Sequence, residues 1–233
     1  MKELVVIDRP NSSFGEEIKK TRTNLMYSNL DDDMKVIMIT SSIPNEGKSF
    51  IASNLAAAFA QAEENVLLID CDLRKGRLKK IFNIPPEQKG LSDLLINKNW
   101  KDEIKNHINK TEVKNLFLMV TGSYPPNPSE LLSSKRFEDL LNVLKNKYKL
   151  IILDCPPVVG LNDAMVLGKK SDRCVLVANT EIVSMEVLEQ SKAELEKVGI
   201  KITGIILNEI ENKNKRYKYN YNYKYYNRYY RDE

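Results

Sequence analysis

Short aliphatic and β-branched runs recur along the chain at Val36–Thr40, Val66–Asp70, Leu116–Val120, Leu150–Asp154, Cys174–Ala178 and Ile202–Leu207. Each is almost continuously apolar rather than alternating, which is the pattern of strands covered on both faces. Between them the spacing predicts helices over Lys48–Ala62, Ser129–Lys147, Ala164–Lys170 and Ser184–Val198. Runs of this kind in alternation predict an α/β fold, a mostly parallel twisted sheet flanked by helices. The two ends differ. Residues 8–35 begin with Pro and Ser, continue into a polar helix around Glu16–Tyr27 and close on three aspartates at 31–33. Residues 1–35 are therefore read as a packed N-terminal arm and 36–210 as the main domain. After Asn208 the apolar pattern stops, and residues 211–233 are polar, low in complexity and expected to be disordered.

Composition narrows the reading. The chain has 233 residues, 42% of them hydrophobic and 29% charged, with a formal net charge of +4. One domain with a substantial core fits that length. The basic excess sits at the end, where Lys213, Lys215, Arg216, Lys218, Lys224, Arg228 and Arg231 face only Asp232 and Glu233. The rest is close to neutral, so binding of nucleic acid through the domain is not expected. Cys71, Cys155 and Cys174 are far apart and lack metal-ligand spacing; buried reduced thiols are the expectation. The first residues turn charged too soon for a signal peptide, and no apolar run approaches the ~20 residues of a membrane span. His107, the only histidine, falls in a polar helical stretch and is expected at the surface. Trp100 is expected to anchor a loop.

Eight of the eleven tyrosines, Tyr217, Tyr219, Tyr221, Tyr223, Tyr225, Tyr226, Tyr229 and Tyr230, crowd into the terminal stretch. No Leu, Ile, Val, Phe or Met lies among them, so the rings have no apolar partner there and the phenolic hydroxyls are displayed.

Strand Val36–Thr40 runs into Ser41-Ser42-Ile43-Pro44-Asn45-Glu46-Gly47-Lys48-Ser49, and a helix follows at once. Strand, loop and helix in this order aim backbone N–H groups and a helix N-terminus at phosphates. Lys48 is placed to reach the β- and γ-phosphates and Ser49 to ligate Mg²⁺. Ser42, Pro44, Asn45, Glu46, Gly47, Lys48, Ser49 and Phe50 form the expected ATP-binding segment, with Ser42 standing where the common pattern has glycine. Two further strands end in acids: Asp70 and Asp72 in Leu67–Arg74, and Asp154 in Leu150–Pro157. In open α/β sheets ligands sit outside the carboxyl ends of the strands, so all three carboxylates converge on the phosphate loop. Asp154 suits the Mg²⁺ shell through a water, with Ser49 and Asp72 as further metal candidates. Lys48, Asp70 and Asp72 are the candidate catalytic residues. Either aspartate could accept the acceptor's proton while the other helps hold the metal.

On these residues the chain resembles the bacterial tyrosine kinases of the capsular and exopolysaccharide type, the BY-kinase family. The likeness extends to Gly90–Leu95, Pro125–Leu132 and Gly204–Asn208. The resemblance implies a P-loop NTPase of the deviant, ParA/MinD-like type, using ATP and Mg²⁺, and makes the terminal tyrosines the autophosphorylation region. It implies a cytoplasmic kinase held peripherally at the inner face of the membrane by a transmembrane activator of polysaccharide export. It also implies protein-tyrosine substrates, a cognate phosphatase and a homo-oligomer that can close into a ring, with one tail entering a neighbour's site. The family's oligomerisation motif, Glu-x-x-Arg-x-x-Arg, reads Glu16, Lys19 and Arg22 here. Lys19 cannot form the bidentate fork of arginine. A charge ladder on one helix is the alternative for these three. By the same analogy Asn208 approaches the adenine, or else it is a strand-end turn residue.

Two rivals come from other classes. A partitioning or division-site ATPase switch shares the fold but carries a signature lysine where this chain has Ile43. A nucleic-acid binder could use the interleaved aromatic and cationic tail, but nothing in the domain predicts a groove.

Overall fold

The computed structural model describes residues 3–28, 34–62 and 65–208. The eight terminal tyrosines and the aspartates at 31–33 lie outside the described residues. Seven strands, β1 (Val36–Ser41), β2 (Val66–Asp70), β3 (Asn109–Lys110), β4 (Leu116–Met119), β5 (Leu150–Asp154), β6 (Arg173–Asn179) and β7 (Ile202–Asn208), form one sheet in the order β3-β4-β2-β5-β1-β6-β7. Every pairing is parallel except β3 with β4. The six strands read from the sequence are all present. The two-residue β3 was not foreseen, because a pair of polar residues carries no period.

Strand parity sorts the core into two layers. Ile37, Ile39, Val66, Leu68, Leu150, Ile152, Val175 and Val177 face one side, where α1 (Val5–Asp8), α2 (Ser13–Tyr27), α3 (Lys48–Ala62) and α4 (Leu78–Ile81) pack. Val36, Met38, Leu67, Ile69, Ile151, Leu153, Cys174 and Leu176 face the other. There lie α5 (Leu91–Ile96), α6 (Trp100–Glu103), α7 (Pro128–Ser133), α8 (Lys135–Lys145), α9 (Asp163–Gly168) and α10 (Met185–Lys197).

α3 is buried on nearly every side, from Lys48 through Ala60 with Phe50 half-exposed. A helix apolar all round must be covered all round. The sheet covers one side and the N-terminal arm the other: Val6 N donates to Asn54 Oδ1 at 3.0 Å, and Asn54 Nδ2 donates to Glu3 O at 2.9 Å. Alanines at 56–58 and 60 keep α3 thin enough for this sandwich. The arm's longer helix, α2, is capped by Ser12, whose Oγ accepts from Gly15 N at 3.1 Å.

Several expectations need correction. The helix expected over Ser129–Lys147 is two, because Ser134 leaves the helical region (φ −62°, ψ 149°) and its Oγ caps α8 by accepting from Phe137 N. Helices α1, α4, α5 and α6 were not foreseen; at four to six residues each they are too short to show a period. His107 is buried, 3% exposed, in a 3₁₀ turn at Ile104–His107, its Nδ1–H donating to Glu103 O at 2.9 Å. A polar neighbourhood in sequence concealed that Ile104 and Trp100 draw this turn into the core. Trp100 is likewise buried and starts α6. The three cysteines are free and buried, as expected.

Phe137 is fully buried where α8 meets the sheet. We expect Phe137→Ala to lower stability by about 3–5 kcal/mol, read by urea or thermal unfolding.

Candidate functional site

The segment after β1 turns back through Asn45 (φ +70°) and Gly47 (φ +90°) before α3 begins at Lys48. Gly47 is required twice over. Its φ is left-handed, and a Cβ there would collide with Asn208 Nδ2. That same amide donates to Glu46 O at 3.0 Å, so the end of β7 rests on the loop. Glu46 is buried, and its carboxylate braces the loop from within. Oε1 accepts from Ile43 N at 2.7 Å and Oε2 from Asn179 N at 3.0 Å. Ile43, the position that decides against the switch ATPases' lysine, is thus fixed by the loop's own acid.

A cavity of about 360 Å³ opens over the loop, walled by Pro44, Asn45, Gly47, Lys48, Ser49, Phe50 and Asp72. Glu3, Arg74, Lys75, Arg77, Ile81, Pro157 and Leu161 complete its lining. Of the expected ATP-binding residues, Ser42, Glu46 and Asn208 lie outside this wall. Ser42 Oγ is buried and has no hydrogen-bond partner, and the other two side chains shape the loop.

The acids converge as parity requires. Asp70 and Asp154 are partners in register across β2 and β5, and by strand alternation they share the face of Leu68 and Ile152, the layer that holds α3. The start of that helix brings Lys48 onto them. Lys48 Nζ lies 3.1 Å from Asp72 Oδ2, 3.5 Å from Asp154 Oδ1 and 3.4 Å from Ser49 Oγ. All four side chains are nearly or wholly buried. Burial alone would push Lys48 down, yet the fields of Asp154, Asp72 and Asp70 hold it above the ordinary lysine value.

Asp70 and Asp72, left open by the sequence, are distinguished by their surroundings. Asp70 is turned inward: Oδ1 accepts from Asp72 N at 3.2 Å and Oδ2 from Leu78 N at 3.1 Å, and Gly76 leaves it the room. Burial, then the neighbouring Asp154 charge, raises its pKa to about 7, against the pull of Lys48 and the Leu78 N–H. Asp72 instead walls the cavity; Oδ1 accepts from Lys75 N at 2.9 Å while Oδ2 faces Lys48. Asp154 is raised too, by burial first, with Lys48 and Ser49 drawing it back.

These residues suit a divalent cation. One ammonium stands against three carboxylates, and Asp154 Oδ2 is buried without a partner. Among the described residues no group of three His, Cys, Asp or Glu forms a ready metal cage. Mg²⁺ needs none, since it keeps waters and phosphate oxygens and takes one or two protein oxygens.

Sequence reasoning missed the basic residues of the lining, Arg74, Lys75 and Arg77. Arg74 Nε donates to the buried Asp163 at 2.9 Å, and Asp163 also accepts from Ser129 Oγ, tying the acidic motif to α7 and α9. The adjacency of Arg74 to Asp72 was the available signal. The arm residues are not one ladder. Lys19 Nζ pairs with Glu16 Oε1 at 2.8 Å on an exposed face, whereas Arg22 Nη1 donates to Ala58 O of α3 at 3.2 Å.

The comparisons accord with this geometry. An AAA-domain family profile matches residues 34–207. The putative tyrosine-protein kinase CapB of Staphylococcus aureus is 39% identical over 208 residues, 89% of each chain. The tyrosine-protein kinase YwqD of Bacillus subtilis is 35% identical over 89% of this chain and 86% of its own. The Salmonella typhimurium kinase Wzc is 35% identical, and this chain spans 28% of its length. Among solved structures, the kinase domain of Escherichia coli tyrosine kinase ETK superposes with TM-score 0.84 at 34% identity, over 91% of this chain and 81% of that one. The chimerical protein CapA2B2 gives 0.83 at 37%, over 90% and 91%. The Pyrococcus furiosus cell-division ATPase MinD shares the fold, with TM-score 0.61 at 24% identity over 74% and 71%.

An acid held near pH 7 makes stability depend on pH. Between about pH 4 and pH 7 the folded state keeps an Asp70 proton that the unfolded chain releases. Stability therefore falls as pH rises through that window. In metal-free buffer without nucleotide, melting temperatures from pH 5 to 8 are expected to fall less steeply in Asp70→Asn than in the parent; equal slopes would contradict the assignment.

Proposed function

The chain belongs to the bacterial tyrosine-kinase (BY-kinase) family, and we propose that it transfers the γ-phosphoryl group of ATP to tyrosine hydroxyls, those of its own residues 217–230 among them. The observation that carries this reading is Lys48 gripped by Asp72 and Asp154 on the floor of the loop cavity. That is the charge arrangement phosphoryl transfer asks for, since catalysis there is mostly positioning and electrostatic stabilisation.

The roles divide among the loop, the lysine and the acids. Loop N–H groups from Asn45 to Ser49 and the N-terminus of α3 hold the phosphates. Lys48 offsets charge at the β,γ-bridge, and Asp72 and Asp154 hold its ammonium in place. Ser49 and Asp154 would hold Mg²⁺, which when bound neutralises β- and γ-oxygen charge. The tyrosine oxygen forms the new bond to the γ-phosphorus as the bond to the bridging oxygen breaks. Asp72, which walls the cavity, takes the phenolic proton. Asp70 is a positioning residue: it fixes the start of the 72–78 turn and does not reach the reacting atoms.

Transfer in trans within a homo-oligomer follows from the family likeness. We assign the ring contact to the exposed Glu16–Lys19 pair, with Arg22 in part committed to α3. No helix among the described residues is long and apolar enough to cross a membrane. The resemblance supplies a transmembrane activator at the inner face and a role in capsular or exopolysaccharide synthesis.

Purified protein incubated with ATP, Mg²⁺ and the activator's cytoplasmic segment is expected to gain mass in phosphate steps on the 217–230 peptide. Lys48→Met should lose at least about 10²-fold in rate. ATP consumption with an unlabelled tail would replace this reading with a nucleotide switch.

Mixing a Lys48→Met chain that keeps its tyrosines with an active chain lacking residues 211–233 tests direction. Labelling of the Lys48→Met tail is expected, and its absence in an associated mixture would exclude transfer in trans.

A further inference from the structure

Away from the phosphate loop, at the strand-N-terminal end of the sheet, a second cavity of about 290 Å³ lies beside the β3–β4 edge. Its floor is aromatic. Phe117 of β4 and Tyr148 before β5 meet edge to face, ring centroids 5.5 Å apart, and Ile108 adds an aliphatic wall. Around the floor stand three exposed lysines from three separate segments: Lys105 in the 3₁₀ turn, Lys110 in β3 and Lys147 after α8. Lys147 Nζ lies 5.8 Å from the Tyr148 ring centroid. No acidic residue lines the cavity, and none of the three lysines forms an ion pair among the described residues.

Three ammonium groups over an apolar, ring-shaped floor match a ligand that is flat and apolar at one end and multiply anionic at the other. An aromatic ring stacks on such a floor, and a phosphate dianion takes several N–H donors. We propose that this cavity binds phosphotyrosine of the chain's own C-terminal segment. The inference rests on the kinase reading above for the source of the modified residue.

Charge makes the site selective for product over substrate. The unmodified segment carries Lys218, Lys224, Arg228 and Arg231 and is repelled by the three lysines, whereas each phosphate brings about −1.5 to −2. Distance permits it. Six strand spacings make the sheet about 29 Å wide, and β7 delivers the chain at the opposite edge. Twenty-two residues from Asn208 to Tyr230 span up to about 75 Å, so the outer tyrosines reach this cavity on their own or a neighbouring copy. A docked phosphotyrosine is then held at the end of the sheet opposite the phosphate loop, which clears the acceptor site.

Synthetic peptides make the test independent of catalysis. Fluorescently labelled residues 216–231 are prepared unmodified, with phosphotyrosine at 225 and 226, and with phosphoserine at those positions. Their binding to the full, unphosphorylated chain is measured by anisotropy without ATP. The phosphotyrosine peptide is expected to bind at least about ten-fold more tightly than either other form. Each of Lys105→Ala, Lys110→Ala and Lys147→Ala should weaken it about three- to five-fold, with unchanged melting curves because the side chains are exposed. Equal binding by the phosphoserine peptide would reduce the site to a general anion patch and overturn the proposal. So would undiminished binding of the phosphotyrosine peptide by the variant that carries all three substitutions. Binding as expected with a tail that is never labelled would leave the cavity standing and refute the kinase reading instead.

Discussion

A single buried ammonium organises this molecule. Lys48 stands where α3 starts, within reach of Asp72 and Asp154 and in the field of Asp70. Left unpaired, any of these groups would be prohibitively expensive to bury. Together they fix how α3, β2 and β5 meet. The constraint acts in both directions, since strand parity must turn Asp70 and Asp154 toward the helix layer and the loop must end where Lys48 can meet them. Burial first, and then neighbouring carboxylate charge, raises Asp70 and Asp154, and one cation against three acids suits the site to further positive charge.

Around that cluster the molecule spends backbone and polar side chains on rigidity rather than on ligand contact. Glu46 closes the loop onto β6, Asn208 lays β7 against Gly47, and Asp163 fastens Arg74 to α7 and α9. The N-terminal arm belongs to the same scheme. It covers the outer side of α3 and bonds to it through Asn54 and through Arg22, so any oligomer built on the arm is coupled mechanically to the helix that carries Lys48.

The two ends of the sheet divide the work. The carboxyl ends of the strands gather acids around one lysine, while the opposite end, at the β3–β4 edge, sets lysines around two aromatic rings. On the proposed function the tyrosine-rich segment, which follows the far edge strand in sequence, would change sign on phosphorylation and be drawn to the basic cavity only after modification, giving the chemistry a direction.

The sequence alone determined the six main strands, the loop from Ser42 to Ser49 and the acids at the strand ends, because each is a local pattern: apolar runs, a strand–loop–helix order, a carboxylate after a buried run. Only the tertiary structure separates the surroundings of Asp70, held by the N–H groups of Asp72 and Leu78, from those of Asp72, which walls the cavity. It alone turned Glu46 and Asn208 into loop braces, committed Arg22 to α3 and buried His107, because these depend on partners distant in the chain. The lysine-walled cavity was likewise invisible, for Lys105, Lys110 and Lys147 become neighbours only when a two-residue antiparallel strand folds back against β4.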